Sequence, residues 1–214
     1  MTEQPPLDWA VARRPMPGQV ACGDVATVHT SGSHLVLAVI DGLGHGPDAA
    51  KAATLAAEVV GRHRTAEPAD LLLLLHSHLA ESRGATATVA TIDGASGQLD
   101  WLGVGNVDGV VVRADGKRPL THGVFLCRGV LGHQMPRKLH RPEPVVLRSG
   151  DCIVIATDGV RGDLADAVRP RLDVGLADVG RLADRILRDF AIADDDALVL
   201  VARYHPPGRH GTPA

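Results

Sequence analysis

Two apolar runs of this sequence end in the same dipeptide. Leu35–Ile40 runs into Asp41-Gly42, and Cys152–Thr157 runs into Asp158-Gly159. A third run, Asp196–Arg203, emerges from Asp194-Asp195-Asp196, and Cys22-Gly23-Asp24 opens the segment before residue 31. A single Asp-Gly is ordinary turn chemistry. Acids at the ends of apolar strands, repeated in this order, instead suggest a site. If the third strand lies antiparallel to the other two, its start lies beside their ends and the carboxylates meet at one edge of the sheet. Asp24 opens the hairpin arm that pairs with the strand ending at Asp41, and so reaches the same edge. At an effective dielectric near 20, two such charges about 4 Å apart repel by roughly 4 kcal/mol. Water, shifted pKa values or a cation must relieve that. An all-oxygen donor set favours Mg²⁺ or Mn²⁺ over Zn²⁺, which prefers Cys and His. Glycine after Asp41 lets the backbone approach closely and turn its carbonyl towards an ion.

The elements that must position these acids follow from periodicity and turn chemistry. Leu7, Trp9 and Val11 alternate in a first strand that ends near Arg13-Arg14-Pro15. Asp24–Thr30 and His34–Ile40 form a hairpin across Ser31-Gly32-Ser33. After the loop Asp41-Gly42-Leu43-Gly44-His45-Gly46, Pro47 opens an Ala-rich helix over Asp48–Val60, closed by Gly61. A second helix is predicted over Pro68–Ser82, stopped by Gly84. Strands follow at Thr86–Ile92, Leu99–Gly103 and Gly109–Arg113, with His122–His140 irregular. Val145–Leu147 and Cys152–Thr157 read as a hairpin across Ser149-Gly150. Ala177–Phe190 is an amphipathic helix with Val179, Leu182, Ile186 and Leu187 on one face, and Asp196–Arg203 is the closing strand. Strands, two helices, a run of strands, one helix and one strand make an α+β domain of antiparallel sheets with segregated helices, not a doubly wound parallel sheet. One domain over residues 1–204 is expected, with 205–214 a disordered tail.

Composition bounds the function. The chain has 214 residues, a formal charge of -3 and a 45% hydrophobic fraction, which suits one well-filled domain. There is no basic stripe for nucleic acid, and five aromatic residues (two Trp, two Phe, one Tyr) offer no base-stacking platform. The opening MTEQPPLDWAVARRP lacks a signal-peptide core, and no apolar run approaches the roughly 20 residues that span a bilayer. Cys22, Cys127 and Cys152 form no CxxC pair, as expected of free thiols in a reducing cytoplasm. Gly42, Gly44 and Gly46 do not make a dinucleotide fingerprint, since Pro47 stands where the last glycine should fall. No P-loop and no G-x-S-x-G elbow is present. His76 and His78, two apart on a helix, do not share a face for zinc.

The ordered set Cys22-Gly23-Asp24, Asp41-Gly42-Leu43-Gly44-His45-Gly46, Thr157-Asp158-Gly159 and Asp195-Asp196 resembles the PPM-type metal-dependent serine/threonine phosphatases, SpoIIE branch. Arg83-Gly84-Ala85-Thr86-Ala87-Thr88 and Val104-Gly105-Asn106-Val107 narrow the resemblance to the small RsbX-like phosphatases of the bacterial stressosome pathway. The resemblance covers roughly residues 20 to 203. It implies an α-β-β-α sandwich with two Mn²⁺ or Mg²⁺ ions in a cleft at one end of the two sheets. It also implies that Asp41 bridges the ions, that the Gly42 carbonyl contacts one of them, that Asp158 and Asp195 hold the other, and that Asp24 contributes at the periphery. Asp194, Asp195 and Asp196 each admit alignment; Asp195 leaves the β run intact through Arg203. Leu198 stands where many members carry Thr, a departure that should affect packing.

The implied activity is hydrolysis of phosphoserine or phosphothreonine on a stressosome or anti-sigma-antagonist (STAS-type) protein. Water activated between two ions attacks phosphorus, with no phosphoenzyme. His45 has two readings, as acid for the leaving oxygen or as a loop residue; Leu43 stands where the larger eukaryotic members carry a catalytic His. The phosphate-binding arginine of those members has no clear counterpart, and Arg13 and Arg14 are candidates by position alone. The basic segment Met135–Arg141 is a candidate for steering an acidic partner, and Gly159–Arg171 for covering the site. A cytoplasmic monomer is expected. The rival functions are a phosphoprotein-binding pseudophosphatase, whose mark would be a missing carboxylate, and a small-molecule phosphatase.

Overall fold

Strand β3 (His34–Gly42) and strand β11 (Ala197–Tyr204) are apolar on both faces for the same reason. In β3, Leu35, Leu37 and Val39 enter one core while Val36, Ala38 and Ile40 enter another. In β11, Leu198, Leu200 and Ala202 join the first of those cores, and Ala197, Val199 and Val201 a third. A strand that buries both faces needs a layer on each side. The computed structural model, which describes residues 6–114, 122–135, 138–139, 142–162, 164–167 and 178–206, supplies those layers with two sheets and their helices.

One sheet has the order β1 (Leu7–Arg14), β11, β10 (Cys152–Ala156), β6 (Asp108–Val112), β7 (His122–Gly123). The other runs β2 (Asp24–Ser31), β3, β4 (Ala85–Asp93), β5 (Gln98–Val104), β8 (Leu126–Cys127), with β9 (Val145–Val146) also on β5. Pairing is antiparallel apart from the short β5–β8 contact. Helices α1 (Pro47–Arg62) and α2 (Pro68–His78) cover the second sheet, and α3 (Val179–Phe190) covers the first. The α-β-β-α sandwich expected from the resemblance is the architecture observed. The α2 leucines Leu71, Leu72 and Leu75 are fully buried; each contributes about 2 kcal/mol of apolar burial. α1 starts with Pro47 in its first turn. In α3, Asp178 caps the start by accepting from the Gly180 and Arg181 amides at 2.8 and 3.2 Å.

Several expectations are corrected. The carboxylate-bearing strands do not share a sheet: β3 lies in one, β10 and β11 in the other. Val145–Leu147 and Cys152–Thr157 are not a hairpin, because β9 pairs with β5 and β10 with β6 and β11. Their apolar patterns are compatible with either sheet, and only packing assigns them. Gly61 does not close α1, which continues to Arg62; a Cβ there would stand 3.1 Å from the His29 ring, so close packing explains the glycine. α2 stops at His78, four residues before Ser82, and Gly84 has φ of +81°. Part of Met135–Arg141, part of Gly159–Arg171 and the tail from residue 207 lie outside the described residues. The described portion of Gly159–Arg171 includes Val160, Leu164 and Ala165, which are buried against the α3 core.

Candidate active site

Sheet geometry brings the four acids to one end of the sandwich. Asp24 opens β2 and is the direct cross-strand partner of Asp41 near the end of β3. Thr157-Asp158 follows β10, and Asp195 precedes β11, its antiparallel neighbour. Both Asp-Gly glycines are set by close backbone approach. A Cβ on Gly42 would meet the Ala49 carbonyl oxygen of α1 at 2.2 Å, and one on Gly159 would meet the Asp196 carbonyl oxygen at 1.8 Å. Neither has a positive φ. The Asp-Gly signal here marks tight docking of strand ends, with the acid left at the rim.

Three sets of hydrogen bonds stitch the two sheets together at this end. The Thr157 hydroxyl donates to Asp24 Oδ2 at 2.7 Å and accepts the Leu198 amide at 2.9 Å, joining β10 and β11 to β2. Thr86 of β4 donates to Asn106 Oδ1 at 2.6 Å, with its hydroxyl 3.4 Å from Asp41 Oδ2, and the Asn106 amide donates to Asp158 Oδ2. This Asp41–Thr86–Asn106–Asp158 relay links acids of opposite sheets. Asp196 is buried, and its two oxygens accept the Met16 and Gly23 amides at 2.7 and 2.9 Å. Its carboxylate is thus occupied in holding the β1–β2 connection, whereas Asp195 interacts with the Asp158 charge.

The electrostatics follow from this crowding. Burial, reinforced by the charges of Asp196, Asp158 and Asp195, raises Asp24 to about 7, against the pull of the Thr157 hydrogen bond. Burial and the charges of Asp24, Asp158 and Asp195 raise Asp41 to about 8. Asp195 is also raised, by burial and then Asp158, with His45 acting in the opposite sense. His45 is exposed on the same rim. Acids pushed this far from their ordinary range lack enough donors to hold their charge.

All five predicted ligand positions, Asp24, Asp41, Gly42, Asp158 and Asp195, lie at this end with His45. Arg14 does not enter: its guanidinium donates to the Ile192 carbonyl and its Nε is buried without a partner. Leu198, at the Thr-to-Leu departure, packs in the core between the sheets. Sequence reasoning did not assign roles to Thr86, Asn106 and Thr157. The signal was present in RGATAT, GNV and TDG, but only the fold shows these side chains bonding to the acids. Among the described residues, no three His, Cys, Asp or Glu groups converge on one point closely enough to enclose an ion. Donor chemistry and charge crowding nevertheless fit a hard cation that keeps part of its water shell.

A family model for Stage II sporulation protein E (SpoIIE) matches residues 31–205. The chain belongs to the SpoIIE family. A solved structure concerning the bacterial stressosome, as a modular system adapted to control secondary messenger signalling, superposes with a TM-score of 0.81 at 29% identity. The match covers 92% of this chain and 99% of that one. RsbX in complex with magnesium matches with a TM-score of 0.78 at 19% identity, over 92% of this chain and 95% of that one. The catalytic domain of the serine/threonine phosphatase PstP with two manganese ions matches with a TM-score of 0.62 at 16% identity, over 93% and 98% of the two chains. No curated protein is significantly similar in sequence. The fold is therefore shared with RsbX and with the catalytic domain of the serine/threonine phosphatase PstP. No helix among the described residues is long and apolar enough to cross a membrane.

Proposed function

We propose that this chain is a metal-dependent protein serine/threonine phosphatase. Its substrate in this reading is a phosphorylated STAS-type protein of a stressosome or anti-sigma-antagonist system, and it acts as a cytoplasmic monomer with one catalytic domain over residues 1–204. The observation that carries the proposal is the gathering of Asp24, Asp41, Asp158 and Asp195 from both sheets, with Asp24 and Asp41 raised to about 7 and 8.

Asp41, the Gly42 carbonyl, Asp158 and Asp195 would hold two Mn²⁺ or Mg²⁺ ions, with Asp24 at the periphery. When bound, the ions supply the Lewis acidity that activates water and neutralises phosphoryl charge. The protein's own contribution is orientation. The Thr86–Asn106 relay sets the rotamers of Asp41 and Asp158 relative to each other, and Thr157 does the same for Asp24. His45, on the rim, gives a proton to the departing serine or threonine oxygen in this reading.

Phosphate release from nitrophenyl phosphate and from a phosphorylated STAS domain, with Mn²⁺ and with chelator, tests the proposal. Hydrolysis that requires Mn²⁺ or Mg²⁺ and is lost in Asp41→Asn is expected. Turnover that survives chelation overturns the metal role. Binding of the phosphoprotein without turnover makes the chain a pseudophosphatase.

A further inference from the structure

The ladder between β3 and β4 continues past the acids. Asp41 pairs with Thr86 and Gly42 with Ala85, and the Leu43 amide then donates to the Gly84 carbonyl at 3.0 Å. One further step sets Arg83 opposite Gly44, in the loop that follows Asp41. Its guanidinium lies over that loop: a Cβ on Gly44 would stand 2.9 Å from Arg83 Nη1. Gly44 has φ of +86°, so glycine there serves both the turn and the space the arginine occupies. Arg83 is exposed, and among the described residues nothing pairs with its guanidinium. Its backbone is nonetheless anchored, because the Arg83 carbonyl accepts from His133 at 2.8 Å.

We propose that Arg83 binds the substrate's phosphoryl group at the rim of the carboxylate cluster, filling the phosphate-clamp role that Arg14 cannot fill. The inference rests on the phosphatase reading. An arginine in this place has a specific physical use: its planar fork matches two phosphoryl oxygens, and it keeps its charge at any working pH. Beyond it, a groove of about 490 Å³ runs between α1 and the end of α2, lined also by Lys51, Leu55, His78 and Glu81. A phosphorylated side chain held at Arg83 would leave its polypeptide in that groove, which is large enough for several residues of an extended chain.

The test uses wild type, Arg83→Ala and Arg83→Lys with Mn²⁺. Arg64→Ala is a charge-matched control beyond the far end of α1, a helix of 16 residues and so about 24 Å long. Calorimetry measures the affinity for inorganic phosphate, and kinetics measure KM and kcat on nitrophenyl phosphate and on a phosphoserine peptide. Arg83→Ala should weaken phosphate binding and raise both KM values by about tenfold or more, the scale of a charge-assisted pair. The melting shift caused by Mn²⁺ should be unchanged, Arg83→Lys should recover part of the loss, and Arg64→Ala should match wild type. Unchanged phosphate affinity in Arg83→Ala overturns the inference. So does a KM change confined to the peptide, which would make Arg83 a contact for polypeptide alone. A wild type that binds phosphate through Arg83 but hydrolyses nothing would overturn the phosphatase reading and leave this one standing.

Discussion

Strand β10 has an aspartate environment at each end, about 23 Å apart at strand rise, and the two are built on opposite principles. Asp151, immediately before the strand, is almost wholly buried, yet it accepts from the Arg113 guanidinium and from the Ala114 and Arg148 amides at 3.1 and 2.7 Å. At the other end, Asp158 joins Asp24, Asp41 and Asp195. Among the described residues, the protein donors to those carboxylates are Thr157, Asn106 and the Asp196 amide, with the Thr86 hydroxyl 3.4 Å from Asp41, and no cation pairs with them. Asp151 is a buried acid whose charge the protein has neutralised for itself. The acids of the other end are held close together without that neutralisation, and a group from outside must supply it. A buried carboxylate is thus assigned to structure or to function by what donates to it, and burial alone does not decide.

The largest effect expected from breaking this contrast is on activity. Asp41→Asn should lower kcat/KM by about 1,000-fold, in line with losing a principal electrostatic contributor to the transition state. The same change should raise the melting temperature of the metal-free protein, because it removes one member of a crowded, mutually repelling set. A lower melting temperature would show that the acids are already satisfied. Asp151→Ala should do the reverse, destabilising the fold by about 3–5 kcal/mol by stranding Arg113. Chemical denaturation measures that loss, and the fraction that remains folded should keep wild-type kcat/KM.

Metal addition sharpens the comparison. Mn²⁺ at about 100 times its dissociation constant should stabilise wild type by about 2.7 kcal/mol, read as a rise in melting temperature. Asp41→Asn should lose most of that rise, whereas Asp151→Asn should keep it in full. The smallest expected effect is that of Asn106→Ala. Losing the relay between Asp41 and Asp158 should cost about 10–100-fold in activity or metal affinity, with little change in metal-free stability because Asn106 is exposed.

Much of this contrast was legible in the residues and part of it was not. The β2–β3 hairpin, both α1 and α3, and the order of elements follow from period, proline and glycine, because those signals act over a few neighbouring residues. Asp24 and Asp41 were legible as partners, since a hairpin fixes its own register. The choice between Asp195 and Asp196 rested on alignment, whereas the structure supplies a physical reason: backbone amides occupy both oxygens of Asp196. Thr86, Asn106 and Thr157 stood in recognisable motifs without assigned roles, because the relay they form depends on side chains meeting between strands and, for Asn106 and Thr157, between sheets. The supposed hairpin of β9 and β10 failed for the same reason, since each segment is apolar enough for either sheet and the turn between them does not choose.

By itself the sequence determined which acids stand at strand ends, that their donors are hard oxygens, and that the chain has the residue order of the SpoIIE branch. Those properties are local, and each is decided by residue type and by neighbours within a few positions. Only the tertiary structure decided that the acids come from two facing sheets, that amides take both oxygens of Asp196 whereas Asp195 accepts only the Asp196 amide through one, and that Arg83 reaches Gly44. Those facts depend on packing between segments more than a hundred residues apart and on a ladder prolonged beyond its strands. Side-chain alternation says which residues of a strand share a face, but not which sheet that face will meet.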